Sequence, residues 1–377
     1  MIITCTEDLR RLHKRRVPKM FYDYAESGAW TEGTLHRNRQ AFAEVKLRQR
    51  VAVDISERDV QGNFLGQSWA MPVGIAPTGL AGMQHADGEI LAAQAAEAFG
   101  IPFILSTMSI CSMEDVAAHT AKPFWFQLYV MKDRSFVESL IDRAKAAGCG
   151  ALVLTVDLQI LGQRHRDLKN RMTAPPKLTV PNLLNMATKP KWCFNMLQTS
   201  RREFGNVVGH AKGVDDLSSL STWSAEQLDP SLNWSDVAWI KELWGGPLVI
   251  KGIMDVEDAL RAEDCGIDAL IVSNHGGRQL DGAPGVLDVL PEIVDRVQEP
   301  QVWMDGGITS GQDVLKAMAM GAQGTFIGKA FLNALGANGK AGVTQLLELI
   351  HRELDLTMAF CGHTDINQVD SNIIWND

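Results

Sequence analysis

The 377-residue sequence predicts an α/β fold, a closed (β/α)8 barrel of parallel strands, on two observations. Short apolar runs rich in strand formers recur from residue 71 onward, each ending in a polar or glycine-containing loop. Segments of helical periodicity lie between them. Continuously apolar strands are covered on both faces, and helices between them make the pairing parallel. Eight such runs match a closed barrel. An open doubly wound sheet is the alternative.

The runs are MPVGIAP (71–77), PFILS (102–106), FWFQLY (124–129), ALVLTVD (151–157), PLVIKG (247–252), ALIVSNHGG (269–277), QVWMDGG (301–307) and GTFIGKA (324–330). Helices are expected over Gly88–Phe99, Arg134–Ala147, Asp255–Asp264 and Gly311–Met320. Residues 1–70 read as an N-terminal cap of helices with a short strand around Val51–Asp54. Residues 71–377 read as the barrel, and the whole chain as one domain. The rhythm breaks once, with a long inserted loop at about 165–235 after the fourth strand. Insertions of this length are usually functional, and after a barrel strand they lie on the catalytic face.

Composition narrows the function. With 46% hydrophobic and 21% charged residues the chain has material for a full core. A net charge of −9 argues against nucleic acid as a general partner. The six cysteines include no CxxC pair, which reads as reduced structural thiols and no metal site. The N-terminus lacks the apolar core of a secretory signal. The longest uncharged stretch, Gln61–Gln84, carries Pro72, Pro77 and several glycines, so it is unsuited to spanning a membrane. The C-terminal NIIWND is neither a peroxisomal nor a prenylation signal, and the expected location is cytoplasmic.

Barrel chemistry gathers at the C-terminal ends of the strands. Those ends carry Pro77-Thr78-Gly79, Ser106-Thr107, Gln127 with Tyr129, Thr155 with Asp157, Lys251, Ser273 to Arg278, Asp305-Gly306-Gly307 and Gly328-Lys329. A structural barrel seldom needs a lysine, a histidine, an arginine, a tyrosine and two aspartates on one rim. DGGITSG and GTFIGKA are glycine turns running into helices at the last two strands, where backbone N–H groups and the helix dipole cradle phosphate. In SNHGGRQLDG (273–282), His275 can take a proton near neutral pH, and the Arg278 fork matches a carboxylate. Taken alone, that segment is also compatible with a surface glycine turn.

Together SNHGGRQLDG, LTVD, WFQLYV, the KG of the fifth run and DGGI…GKA resemble the FMN-dependent L-2-hydroxy-acid dehydrogenases and oxidases. The resemblance runs from PKMFYDYAESG (18–28) to MAFCG near residue 360. It implies FMN as cofactor, oxidation of a 2-hydroxy acid, L-lactate above all, to the 2-oxo acid, and a homo-oligomer, a homotetramer or larger. By resemblance, His275 is the base and Asp157 the carboxylate that holds its imidazole. Arg278 and Arg164 match the arginines around the substrate carboxylate, Tyr24 a tyrosine that hydrogen-bonds it, and Tyr129 one that contacts the substrate oxygen. Lys251 matches the lysine beside flavin N1 and O2. Ser106, Gln127 and Thr155 match groups along the flavin ring, and Pro77, Thr78 and Gly79 the backbone beside N5. Ser273, Asp305, Gly306, Gly307, Thr309, Gly328 and Lys329 complete the implied FMN site. Met108 and Leu161 are candidates for the substrate side-chain pocket.

Two departures fall on the phosphate. Thr309 and Lys329 stand where the family usually has arginine, so two bidentate cations become a hydroxyl and a point charge. FMN is expected to bind through backbone donors, Thr309 and Lys329, less tightly by about 1–3 kcal/mol. Gly79 stands where the oxidases tend to have alanine, a dehydrogenase-like feature.

The inserted loop is chemically distinct. Between Thr173 and Gly213 it carries Lys177, Lys189, Lys191, Arg201, Arg202 and Lys212 against the single acid Glu203. Leu183, Leu184, Met186, Trp192, Phe194, Met196, Leu197 and Phe204 are interleaved. Cations mixed with apolar side chains suit an anionic membrane surface. Membrane-linked family members use this loop for attachment, which implies peripheral binding at the inner face of the plasma membrane and electron transfer to quinone or another respiratory acceptor. A soluble oxidase using O2 is the alternative.

Overall fold

The computed structural model describes residues 2–172, 179–211 and 227–375. Its barrel strands are β3 (Val73–Ile75), β4 (Ile104–Ser106), β5 (Trp125–Leu128), β6 (Leu152–Thr155), β7 (Leu248–Ile253), β8 (Ala269–Val272), β9 (Gln301–Asp305) and β10 (Gly324–Ile327). Seven lie inside one of the apolar runs, and β7 passes the end of its run by one residue, Ile253. They form one eight-stranded parallel sheet in the order β3-β10-β9-β8-β7-β6-β5-β4. A parallel bridge between Ile75 and Phe103 and a bond from the Ile75 amide to the Pro102 carbonyl join its two edges. The open doubly wound sheet is thereby excluded, and the fold is a TIM barrel. β3 to β6, β8 and β10 are buried at every position, because interior side chains fill the barrel while helices cover the outside.

Helices form at Gly88–Phe99, Arg134–Ala146, Val256–Asp264 and Gly311–Ala319. Asp133, Asp255 and Ser310 fix three of these starts by accepting backbone N–H groups of the first turn. The C-terminal helix Lys329–Phe360 breaks at Asn338 and Gly339, where φ of Gly339 is +59°.

The cap holds α1 (Thr6–Arg16), α2 (Lys19–Glu26) and α3 (Gly33–Glu44). No strand forms at Val51–Asp54; the alternating valines there are exposed and find no partner strand, so their β-propensity is not realised. The hairpin lies later, β1 (Gly62–Phe64) and β2 (Gln67–Trp69), turned by Leu65 and Gly66, both at positive φ. It closes the bottom of the barrel, where Phe64 meets Trp303, Phe326 and Trp125 edge-on at 5.1, 5.5 and 6.3 Å. The other end is left for chemistry, and the cap docks there. Ala29 donates to the Gly277 carbonyl at 2.8 Å, and Trp30 to that of Gln163 at 2.9 Å.

The inserted loop contains the helices Val180–Ala187 and Pro190–Gln198. Trp192 and Met196 are buried against Val17, Met20 and Phe21, whereas Leu184 and Leu197 are 67% and 73% exposed. Lys177 and Lys212 lie outside the described residues.

Candidate active site

A cavity of about 870 Å³ opens where the strand ends meet the cap. Of the residues expected at the site, Tyr24, Pro77, Thr78, Gly79, Ser106, Met108, Tyr129, Leu161, Arg164, Lys251, His275, Arg278, Asp305, Gly306, Gly307, Thr309, Gly328 and Lys329 all line it. Gln127, Thr155 and Ser273 are buried beneath that surface.

His275 follows β8 in a turn where it, Gly276 and Gly277 have φ of 57°, 65° and 71°. Positive φ is uncommon for a residue with a Cβ, and such conformations gather at functional sites. The turn aims the imidazole across the rim, and its Nδ1 lies 2.9 Å from Asp157 Oδ1. Burial alone would raise the Asp157 pKa, but His275, its hydrogen bond and the Lys251 charge outweigh that and lower it. An ionised carboxylate only accepts, so Nδ1 carries the proton and Nε2 of the neutral ring is left as a base. Gly252 permits this geometry: at φ 108°, a Cβ there would stand 2.7 Å from Asp157.

Beside the base lies a carboxylate site. Arg278 and Arg164 place their guanidinium carbons 4.8 and 5.9 Å from the Tyr24 ring. Arg278 Nη1 donates to the carbonyls of Tyr24 at 2.7 Å and Ser27 at 3.0 Å, while Arg164 Nε pairs with Asp167 at 2.6 Å. Burial and the neighbouring Arg164 pull the Arg278 pKa below its ordinary value. Two arginines around one half-buried ring therefore call for an anion between them. Burial and the charges of Asp157 and Tyr24 push the Tyr129 phenol up, so it stays protonated and serves as a donor. Met131, Leu158, Met172, Phe204 and Leu228 line the cavity with Met108 and Leu161, giving an apolar space for a side chain.

The strand ends next to this site hold unpaired polar atoms. Ser106 Oγ donates to Gln127 Oε1 at 3.1 Å, and Gln127 Nε2 is left without a partner among the described residues; so are Thr155 Oγ1 and Asp305 Oδ1, all buried. Buried groups of this kind normally find partners. The edge of a flavin ring, with its alternating carbonyl and N–H groups, supplies them, so these residues fit FMN. Lys251 adds a buried cation, held by Ser273 Oγ at 2.8 Å and Asp305 at 2.9 Å.

The glycine turns behave differently from expectation in their side chains. Thr309 Oγ donates to Asp313 at 3.0 Å. Lys329 Nζ donates to the carbonyls of Glu26 and Ser27 at 3.2 and 3.3 Å, sharing Ser27 with Arg278. Burial and Arg278 pull its pKa down to about 7. The amides of Gly306, Gly307 and Ile308 donate to no described residue.

Sequence reading passed over Asp167, Ser27, Asn38 and Asn274. Asp167 holds Arg164, and it stands three residues after it in QRHRD, a spacing that could have been read as a helical pair. Asn38 and Asn274 exchange amide bonds at 2.8 Å and pin α3 to the His275 turn; two asparagines so far apart give no sequence signal.

A barrel with a histidine–carboxylate pair, an anion clamp and flavin-matched strand ends defines a class of flavin oxidoreductase. The chain belongs to the FMN-dependent dehydrogenase family, whose model matches residues 13–376. It is 45% identical to an L-lactate dehydrogenase of Caulobacter vibrioides, covering 99% of this chain and 98% of that one. It is 44% identical to an L-lactate dehydrogenase of Actinobacillus pleuropneumoniae, covering 98% and 97%. Among solved structures it resembles a monotopic membrane protein, (S)-mandelate dehydrogenase, with a TM-score of 0.95 at 36% identity over all of both chains. The enzyme is FMN-dependent.

Proposed function

We propose that this enzyme oxidises an L-2-hydroxy acid, L-lactate first among them, to the 2-oxo acid and passes the electrons to a quinone or another respiratory acceptor. The observation that carries the reading is the His275 Nε2 base set beside the paired guanidiniums of Arg278 and Arg164. Relatives named L-lactate dehydrogenase and (S)-mandelate dehydrogenase support the substrate class.

The two arginines and the Tyr24 hydroxyl hold the substrate carboxylate. Tyr129 donates to the substrate oxygen. His275 takes a proton from the substrate, and Asp157 stabilises the resulting imidazolium. Bound FMN would supply the acceptor for the electron pair and the second proton that leave the substrate. Lys251, a buried cation at the strand ends, would help hold the flavin and favour its reduction.

Attachment to a membrane surface is part of the reading. Among the described residues no helix is long and apolar enough to cross a membrane. The exposed Val180, Leu183, Leu184, Phe194 and Leu197 form an apolar face. Lys191 is exposed beside it, and Lys189 bonds the Arg15 carbonyl at 2.8 Å, joining the basic end of α1 to the same region. Arg201 is not available to lipid, because it pairs with Asp87 and Asp115. Met172 and Phe204, also from the inserted loop, line the cavity. A homo-oligomer, a homotetramer or larger, completes the proposal.

The test is spectroscopic. L-lactate without oxygen should bleach the flavin, and colour should return slowly in air but quickly with a soluble quinone. Immediate return in air with peroxide formed would make the enzyme an oxidase. No bleaching by any L-2-hydroxy acid would sink the reading.

A further inference from the structure

The glycine turns after β9 and β10 offer phosphate a set of unspent backbone N–H groups, but the side chains expected there, Thr309 and Lys329, are committed to protein partners. The lysines and arginines that line the cavity are Arg10, Arg39, Arg164, Arg166, Lys251, Arg278 and Lys329. Arg10 pairs with Glu7 at 2.6 Å, Arg164 with Asp167 at 2.6 Å, and Arg166 with Glu32 at 2.5 Å. Lys251 pairs with Asp305 at 2.9 Å, and Arg278 and Lys329 are spent on carbonyls of the cap. Arg39 alone of the seven has no hydrogen bond or ion pair among the described residues.

Its helix is held tightly where a phosphate would sit. A Cβ at Gly307 would lie 2.6 Å from the Asn38 carbonyl oxygen and 2.9 Å from Phe42, so α3 rests directly on the glycine turn. The reciprocal Asn38–Asn274 pair at 2.8 Å and the bond from Lys316 Nζ to the Phe42 carbonyl at 2.7 Å fix it there. Arg39 follows Asn38 and lines the cavity together with Gly306, Gly307, Ile308 and Thr309. Asp313, whose carboxylate holds Thr309, adds negative charge at this turn, and an uncommitted cation offsets it for a bound dianion.

We propose that Arg39, reaching from the N-terminal cap, is the charged anchor of the FMN phosphate, so that cofactor retention depends on the cap as well as on the barrel. The inference rests on FMN occupying this cavity. Thr309 and Lys329 then serve other ends: Thr309 orders the turn through Asp313, and Lys329 ties the cap to the barrel.

The experiment compares full-length wild type with Arg39→Ala and Arg39→Lys. FMN dissociation constants come from the recovery of flavin fluorescence on dilution of the holoenzyme. Riboflavin, which lacks the phosphate, is titrated onto the same full-length proteins freed of flavin. Arg39→Ala should weaken FMN binding by roughly ten- to a hundredfold, as for a lost charged hydrogen bond, and leave riboflavin binding unchanged. Arg39→Lys should fall between. Adding Thr309→Arg to Arg39→Ala should recover part of the loss. Unchanged FMN affinity in Arg39→Ala overturns the proposal. Equal loss of FMN and riboflavin overturns it too, since that marks a general packing role. A wild type that binds no flavin at all would instead defeat the FMN reading itself.

Discussion

The two halves of the cavity are built on opposite plans. On the side of the substrate and the flavin ring the protein leaves polar groups unspent: His275 Nε2, Nη2 of Arg278, and buried atoms of Gln127, Thr155 and Asp305. On the phosphate side the side chains are spent on one another, Thr309 on Asp313 and Lys329 on the cap carbonyls, and backbone amides are what remain. The difference teaches where specificity resides. A reacting carboxylate and hydroxyl need side chains at fixed positions, whereas a phosphate is held by any well-placed set of N–H groups and one free cation.

The largest way to break this contrast is at the base. Asp157→Asn removes the ionised acceptor that fixes the imidazole, and should slow anaerobic flavin bleaching on the order of a hundredfold or more with FMN still bound. Next comes the clamp. Arg278→Met should lower kcat/KM for L-lactate by about ten- to a hundredfold, the loss of one charged hydrogen bond. Part of that loss should return with a small exogenous guanidinium; an unchanged kcat/KM would remove Arg278 from carboxylate binding.

A smaller effect is expected at Gly79. A Cβ there would lie 3.2 Å from the Tyr24 hydroxyl and 3.3 Å from the Met108 carbonyl, so one of them must yield. Gly79→Ala should raise KM a few-fold through a displaced Tyr24. Equal kinetics in both proteins would show that the helix α2 yields without cost.

The last sharpening concerns Lys329, whose pKa falls from the ordinary 10.5 to about 7. Between those values the unfolded chain binds a proton that the folded chain has released, so the stability of the flavin-free protein rises with pH across that window. Below about pH 7 both states are protonated and the cost of burying the charge is full and constant. Lys329→Met should therefore raise Tm most at pH 7 and least near pH 10, and parallel melting curves for the two proteins would place Lys329 in a well-solvated site.

The barrel was legible because each strand is a mainly apolar run with glycine or a polar group at or near its end, a pattern set by burial on both faces. The substrate side was legible for a related reason: SNHGGRQ concentrates its chemistry in a few consecutive residues. The contributions of the cap were not. Arg39 in HRNRQ looks like any solvated helix face, and only the docking of α3 on Gly307 gives it a role. Val51–Asp54 misled because strand propensity without a partner strand yields no strand. The basic loop was partly legible: its exposed apolar side chains are present, but Arg201 is drawn inward to Asp87 and Asp115, which lie far from it in sequence.

The most direct measurement is the rate of anaerobic flavin bleaching by L-lactate in His275→Gln, with FMN content checked by absorbance. The structure predicts full flavin occupancy and bleaching slowed about a thousandfold, the range expected for loss of a positioned base. Bleaching at the wild-type rate would contradict the assignment of His275 as the base, and with it the catalytic arrangement built on the pair it forms with Asp157.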